Sequence, residues 1–291
     1  MPGPPAHEVP VEQARAGHES ETKHLSGPGE PVAEVHDLEI PVPSCSIPAR
    51  LYRPEGDGPL PLIAYLHGGG WTIGSIDSFD TVVRALTNAS GAIVVSVGYR
   101  LAPEAPFPAG LEDCLCAVRW LAANAADLGA DPDRLAIAGD SAGGNLATVV
   151  ARRLRGEVAL RAQALIYPVT DAGCNTASYR EFGERHGLTA ASMQRFWNLY
   201  LAGADGTQPD ASPLRADDLA GSPPAFVLTA GFDPLRDEAE AYCEALREAG
   251  VEAECRRYAG AIHGFWRWLA VTKLSRAAVD EVAGALRARL A

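Results

Sequence analysis

The stretch Leu135-Ala-Ile-Ala-Gly139-Asp140-Ser141-Ala142-Gly143-Gly144-Asn145-Leu146 decides the fold. Its first four residues read as a buried strand, and from Asn145 the apolar spacing becomes helical. Between them, Gly-x-Ser-x-Gly requires a corner so sharp that its central residue takes strained dihedrals. The glycines two positions to either side keep side chains from colliding there. Such a corner holds the Ser141 hydroxyl proud of a sheet, at the carboxyl ends of the strands, where open α/β sheets bind ligands. The helix that follows aims free N–H groups at the same point. Gly-x-Ser-x-Gly alone is a common pattern; the strand before it and the helix after it make it specific.

Working outward, nearly continuous apolar runs at 60–66, 92–97, 135–138, 162–167 and 225–230 suit central parallel strands covered on both faces, and 252–258 reads as a sixth. Segments 79–90, 110–124, 145–154 and 234–249 lie between them with apolar residues three and four apart, and 271–290 closes the chain in the same way. Gly250 follows 234–249, where a helix end favours glycine. The alternation predicts an α/β fold: a mostly parallel central sheet with right-handed crossovers, flanked by helices. One segment breaks the rhythm. Residues 176–205 insert a helix, roughly 189–201, that carries Phe196, Trp197 and Tyr200. Its place between two strands favours a lid over a pocket, with aromatic core as the alternative.

Residues 1–45 differ from the rest. They hold His7, His18, His24 and His36, are rich in Pro, Gly and Glu, and show weak periodicity. They read as a solvated N-terminal segment, disordered over its first few residues, with a short helix around 11–16. Together with 176–205 they would form a small helical cap on a catalytic domain of 46–291.

The chain has 291 residues, and 25 Lys+Arg against 37 Asp+Glu leave a net charge of −12. Hydrophobic content of 47% against 21% charged is globular, and the acidic balance excludes nucleic acid and anionic membranes as partners. No apolar run approaches the roughly 20 residues that span a bilayer, and no basic stretch leads into an apolar core at the amino end, so a cytoplasmic protein is expected. Cys45, Cys114, Cys116, Cys174, Cys243 and Cys255 are scattered without metal-ligand spacing; most are expected to be small buried residues in a reducing compartment. No metal site is expected.

A serine hydroxyl needs a base to take its proton. His263, in Gly260-Ala-Ile-His263-Gly-Phe265, follows the last strand and so shares the carboxyl edge with Ser141. His67 opens a glycine run with another use, and His186 lies in the insertion. The base needs a carboxylate to fix its tautomer. Asp233 directly follows the strand 225–230, whereas Asp237, inside the next helix, better complements that helix's dipole. An oxygen that becomes negative needs donors, and His67-Gly68-Gly69-Gly70-Trp71 brings backbone N–H groups close behind another strand. With no Lys-Ser/Thr after the glycines, a phosphate cradle is disfavoured. Trp71, Phe196, Trp197 and Tyr200 are candidate pocket residues or aromatic core, and Tyr167 ends a strand at the same edge.

HGGGW (67–71), YRLAPE (99–104), GDSAGG (139–144), DPLRDE (233–238) and HGF (263–265), in this order, resemble the hormone-sensitive-lipase group of α/β-hydrolases, which are largely bacterial carboxylesterases. The likeness runs from about Val35 to the carboxyl terminus. It implies Ser141 as nucleophile, Asp233 as acid, His263 as base, and Gly69, Gly70 and Ala142 as oxyanion donors. It further implies a serine esterase for short- to medium-chain acyl esters, acting through an acyl-enzyme on a small-molecule ester, with no cofactor. The N-terminal segment is Pro- and His-rich here, and Pro43-Ser-Cys-Ser46 stands where a Gly- or Asp-containing turn is usual. An amidase or formamidase would use the same triad. A non-catalytic small-molecule receptor, as the plant gibberellin receptors resemble this group, would lack the histidine that stands at 263. The oligomeric state is not read from the sequence, and a homodimer stays open.

Overall fold

A computed structural model describes residues 6–291. Its eight strands are β1 (Glu34–Val42), β2 (Cys45–Arg53), β3 (Leu60–Leu66), β4 (Ile93–Val97), β5 (Ala130–Asp140), β6 (Leu160–Ile166), β7 (Ala225–Phe232) and β8 (Ala253–Ile262). They form one sheet in the order β1-β2-β4-β3-β5-β6-β7-β8. β1 pairs antiparallel with β2, and β2 with β4; every other neighbouring pair is parallel. The expected mostly parallel sheet is the one observed.

Because side chains alternate across a strand, each central strand feeds two cores. In β3, Leu62, Ala64 and Leu66 join one apolar cluster with α3 (Ala109–Asn124), α4 (Ala142–Arg153) and α7 (Arg236–Glu248). Ile63 and Tyr65 join the other, with α2 (Ile76–Ser90) and α8 (Lys273–Leu290). Both faces are covered, which is why these strands read as unbroken apolar runs. Helix α2 shows the local logic. Ser75 and Ser78 cap each other's backbone at its start, and Gly91 in the left-handed region closes its end on the Thr87 carbonyl.

Three expectations need correction. The first concerns residues 1–45. The expected disorder of the first few residues falls on 1–5, outside the described residues. Val11–Ser26 is a single 16-residue helix, α1, and Glu34–Val42 is an edge strand of the sheet. A division at residue 45 therefore cuts the β1–β2 hairpin, and the sheet begins at 34. The expected helix at 11–16 is the first part of this longer one, and both elements give weak sequence signals because they bury little apolar surface: β1 alternates with charged residues, and α1 buries Thr22 and Ser26.

The second concerns the solvated histidines. His24 and His36 are exposed, but His18 stacks on Phe79, with ring centroids 6.2 Å apart, and His7 Nδ1 lies 3.0 Å from Ser192 Oγ. Burial and the neighbouring Arg267 push the His18 imidazole well below its ordinary pKa. The third concerns the thiols. All six are free, but Cys114 and Cys243 alone are buried; Cys45 is exposed and the others are intermediate. Cys116 lies two residues beyond Cys114 on α3 and therefore turns toward a different side of that helix.

The insertion between β6 and β7 contains α5 (Ala177–Phe182) and α6 (Ala190–Leu201). The amino-terminal segment reaches it, since Arg195 Nη1 donates to the His7 carbonyl at 2.9 Å. Among the described residues, no helix is long and apolar enough to cross a membrane.

Candidate active site

β5 ends at Asp140 and α4 begins at Ala142, so Ser141 alone makes the corner, at φ 54° and ψ −120°. Backbone bonds hold this left-handed serine. Its N–H donates to Ile166 O at 2.8 Å, and its carbonyl accepts from Asn145 N at 2.9 Å and Val169 N at 3.2 Å. The first turn of α4 presses so closely on β3 that a Cβ at Gly143 would meet Leu66 O at 2.0 Å.

The loops after β7 and β8 bring Asp233 and His263 to the same edge. His263 Nδ1 lies 2.7 Å from Asp233 Oδ2, and His263 Nε2 lies 3.0 Å from Ser141 Oγ. Asp233 is 0% exposed, and its other oxygen accepts from Leu235 N at 2.9 Å. The carboxylate is thus fully engaged, and Nδ1–H donating to it leaves Nε2 as acceptor for the serine hydroxyl. Ser141 is 7% and the His263 side chain 11% exposed, so both remain reachable from solvent. Tyr167 is buried behind the imidazole, its ring centroid 4.5 Å from that of His263. Asp237, the carboxylate not preferred from the sequence, accepts instead from Ser178 N at 2.8 Å in α5.

The glycine run lies across from this relay. Gly70 has φ +56°, and a Cβ there would fall 2.3 Å from Cγ of Phe196. Among the described residues, the N–H groups of Gly69, Gly70 and Ala142 have no protein acceptor. Phe196 therefore sits directly against the run. Trp71, Trp197 and Tyr200 are buried behind it, with Trp71 stacked on Tyr200 at 4.3 Å and 4° and tilted on Trp197 at 4.4 Å. These three belong to the aromatic core that supports the loop. His67 is buried, stacked 4.5 Å from Tyr99, and burial brings its pKa down to about 4. Tyr99 Oη donates to the His67 carbonyl at 2.7 Å. His186 lies in the insertion, stacked on Phe232.

Several residues that shape the edge have no role legible in the sequence, although Asp140 and Glu238 stand inside the GDSAGG and DPLRDE motifs. Arg15 of α1 donates to the carbonyls of Thr72 and Ala102, at 2.9 and 3.1 Å, just beyond the glycine run. Glu238 is buried, accepts from Thr170 N at 2.7 Å and Asp171 N at 3.3 Å, and is held well above the usual carboxylate range by desolvation. Asp140 accepts from Gly68 N and Tyr65 Oη, and burial brings its pKa up to about 6. Each depends on a partner distant in the chain.

Serine and imidazole meet in this way, on the carboxyl edge of a sheet wound in this order, in the α/β hydrolases, and that is the class the fold defines. Comparison with known proteins narrows it. The family model for the alpha/beta hydrolase fold matches residues 63–267. Carboxylic ester hydrolase LipN of Mycobacterium tuberculosis is 42% identical over 266 residues, covering 88% of this chain and 71% of that protein. Ethyl acetate hydrolase of Pseudomonas putida is 39% identical over 271 residues, covering 90% and 85%. The crystal structure of EstE1, a thermostable carboxylesterase from a metagenomic library, superposes with a TM-score of 0.95 at 43% identity, covering 98% of this chain and 99% of that one. The chain belongs to the α/β-hydrolase family, in its hormone-sensitive-lipase group, and is a carboxylic ester hydrolase.

Proposed function

We propose that the chain hydrolyses short- to medium-chain acyl esters through an acyl-enzyme on Ser141. Ser141 Oγ attacks the acyl carbon while His263 Nε2 takes its proton, forming a tetrahedral intermediate. The N–H groups of Gly69, Gly70 and Ala142 stabilise its oxyanion, and loss of one such donor costs about 3 kcal/mol of transition-state stabilisation. The imidazolium, stabilised by Asp233, returns the proton to the departing alcohol. Water then enters, gives its proton to His263, and releases the acid, restoring Ser141. The N-terminal segment and the insertion at 176–205 act as a cap over the site; Phe196 of the insertion lies against Gly70, and Tyr167, directly after β6, lies against the His263 ring.

The observation that carries this reading is the unbroken relay from Asp233 Oδ2 through His263 to Ser141 Oγ, with steps of 2.7 and 3.0 Å. The relative named for ethyl acetate hydrolysis supports a small acyl group. The test is a series of p-nitrophenyl acetate, butyrate and octanoate, with matched anilides alongside. The expected profile peaks at acetate or butyrate, with anilides slower and Ser141→Ala inactive. A Ser141→Ala protein as active as the parent removes the mechanism; a peak at octanoate removes the chain-length assignment.

A further inference from the structure

Asp140 is 2% exposed and makes no ion pair among the described residues, yet it lies where three separate segments meet. It directly precedes Ser141 in the chain. Its Oδ1 accepts from Gly68 N at 2.9 Å, the first amide of the glycine run. The same oxygen accepts from Tyr65 Oη at 2.8 Å, and Tyr65 Oη in turn accepts from Trp266 Nε1 at 3.0 Å. Trp266 is buried three residues beyond His263. The approach to the glycine run is close: a Cβ on Gly68 would fall 2.4 Å from Asp140 Oδ2.

We infer that Asp140 is a positioning residue, a single carboxylate that sets the serine corner, the glycine run and the histidine loop in register with one another. Its effect on the glycine run is specific. It takes the first amide, Gly68 N, out of the set that faces substrate, and so fixes the orientation of the next two, at Gly69 and Gly70. Peptide planes are rigid, and anchoring one N–H constrains those that follow through only two soft dihedrals per residue. Through Tyr65 it braces the indole of Trp266, and with it the short turn that carries His263. Asp140 touches no reacting atom; it acts by holding groups that do. A buried carboxylate is costly to maintain, and two donors plus the positive potential of Arg267 offset that cost only in part, which leaves its pKa above the ordinary carboxylate range. That cost is tolerated where geometry is the return.

The inference rests on Ser141, His263 and the amides at 69, 70 and 142 acting as proposed. Its test compares Asp140→Ala, Asp140→Asn, Tyr65→Phe and Ser141→Ala on p-nitrophenyl butyrate, with kcat, KM and the thermal midpoint measured for each. An asparagine oxygen accepts both bonds, so Asp140→Asn is expected within about threefold of the parent kcat, whereas Asp140→Ala falls about 100-fold with KM within about twofold, the signature of lost transition-state geometry. Tyr65→Phe, which cuts only the branch to Trp266, is expected to lose about fivefold in kcat at unchanged KM. Equal losses in the alanine and asparagine variants, or an Asp140→Ala kcat near the parent value, overturn the inference. If the alanine variant does not fold, Tyr65→Phe decides, and an unchanged kcat there overturns it. Activity surviving in Ser141→Ala would instead overturn the function on which the inference rests.

Discussion

Asp233→Asn is the sharpest probe of the relay, because the surroundings dictate how asparagine must sit. Asp233 Oδ1 accepts from Leu235 N at 2.9 Å and Oδ2 faces His263 Nδ1 at 2.7 Å, in a site with no solvent exposure. Asparagine has one acceptor oxygen and one donor NH2. Placing the NH2 against Leu235 N–H would set donor against donor and strand a buried amide, at a cost of about 1–3 kcal/mol. The oxygen therefore goes to Leu235, and the NH2 donates to His263 Nδ1. The imidazole then carries its proton on Nε2, where it donates to Ser141 Oγ instead of accepting from it. A base that already holds a proton at the reacting nitrogen cannot begin the reaction. In serine hydrolases, this wrong-tautomer substitution costs about 10⁴-fold in kcat, and the same loss is expected here, about 5.5 kcal/mol of barrier. KM is expected to stay within about twofold, because substrate contacts are untouched. Steady-state kinetics on p-nitrophenyl butyrate, with the thermal midpoint as a folding control, measures both. A folded Asp233→Asn enzyme within tenfold of the parent kcat would refute the idea that Asp233 sets the tautomer.

Further expectations follow from contacts around the relay. Gly70→Ala sets a Cβ 2.3 Å from the Phe196 ring at a φ of +56°, so kcat is expected to fall about 100-fold as a donor is displaced; adding Phe196→Ala relieves the collision but not the backbone strain, and full recovery in the double variant would refute this. Arg15→Ala removes charged hydrogen bonds to Thr72 O and Ala102 O along with the partly exposed ion pair to Glu104, and is expected to lower unfolding free energy by about 1–2 kcal/mol in urea titrations, with a smaller loss in kcat. A neutral stability change would show that α1 does not brace the glycine run.

The acid response carries two opposing signs. His67, down to about 4 from 6.5, binds fewer protons folded than unfolded, so about 3 kcal/mol of stability present above pH 6.5 is lost as pH falls through 4. His18 acts in the same direction. Asp140, up to about 6 from 3.8, binds more protons folded, and returns about 3 kcal/mol over the same acid interval. Asp140→Asn is therefore expected to steepen the loss of stability between pH 6.5 and pH 4 in urea titrations. An unchanged slope would refute this balance.

The sequence announced the parts of this molecule that are buried on both sides or bent by necessity. β3 matches its expected span of 60–66, because a strand covered by helices on both faces must be apolar throughout. The preference for Asp233 over Asp237 rested on strand ends against helix turns, and the structure brings Asp233 to His263. The edge strand β1 stayed hidden, because one of its faces is charged and its pairing with β2 gives no periodic apolar signal. Helix α1 is legible only as a short helix around 11–16, for a different reason: it docks through Arg15, His18, Thr22 and Ser26, polar groups whose partners Thr72, Phe79 and Arg267 lie far along the chain. The same holds for Asp140, which reads as one letter of a short motif until Tyr65 and Gly68 are seen folded onto it.

The serine corner has a practical consequence. Among the described residues, the hydrogen bonds that hold the backbone of residue 141 in its unfavourable conformation belong to its own N–H and carbonyl, while its hydroxyl meets only His263. The reactive atom is thus a passenger on a frame that stands without it. A chain with alanine at this position should keep the cleft open and its amides aimed, ready to capture an uncleaved ester for crystallography. Cysteine there would present sulfur from the same spot to an electrophilic probe.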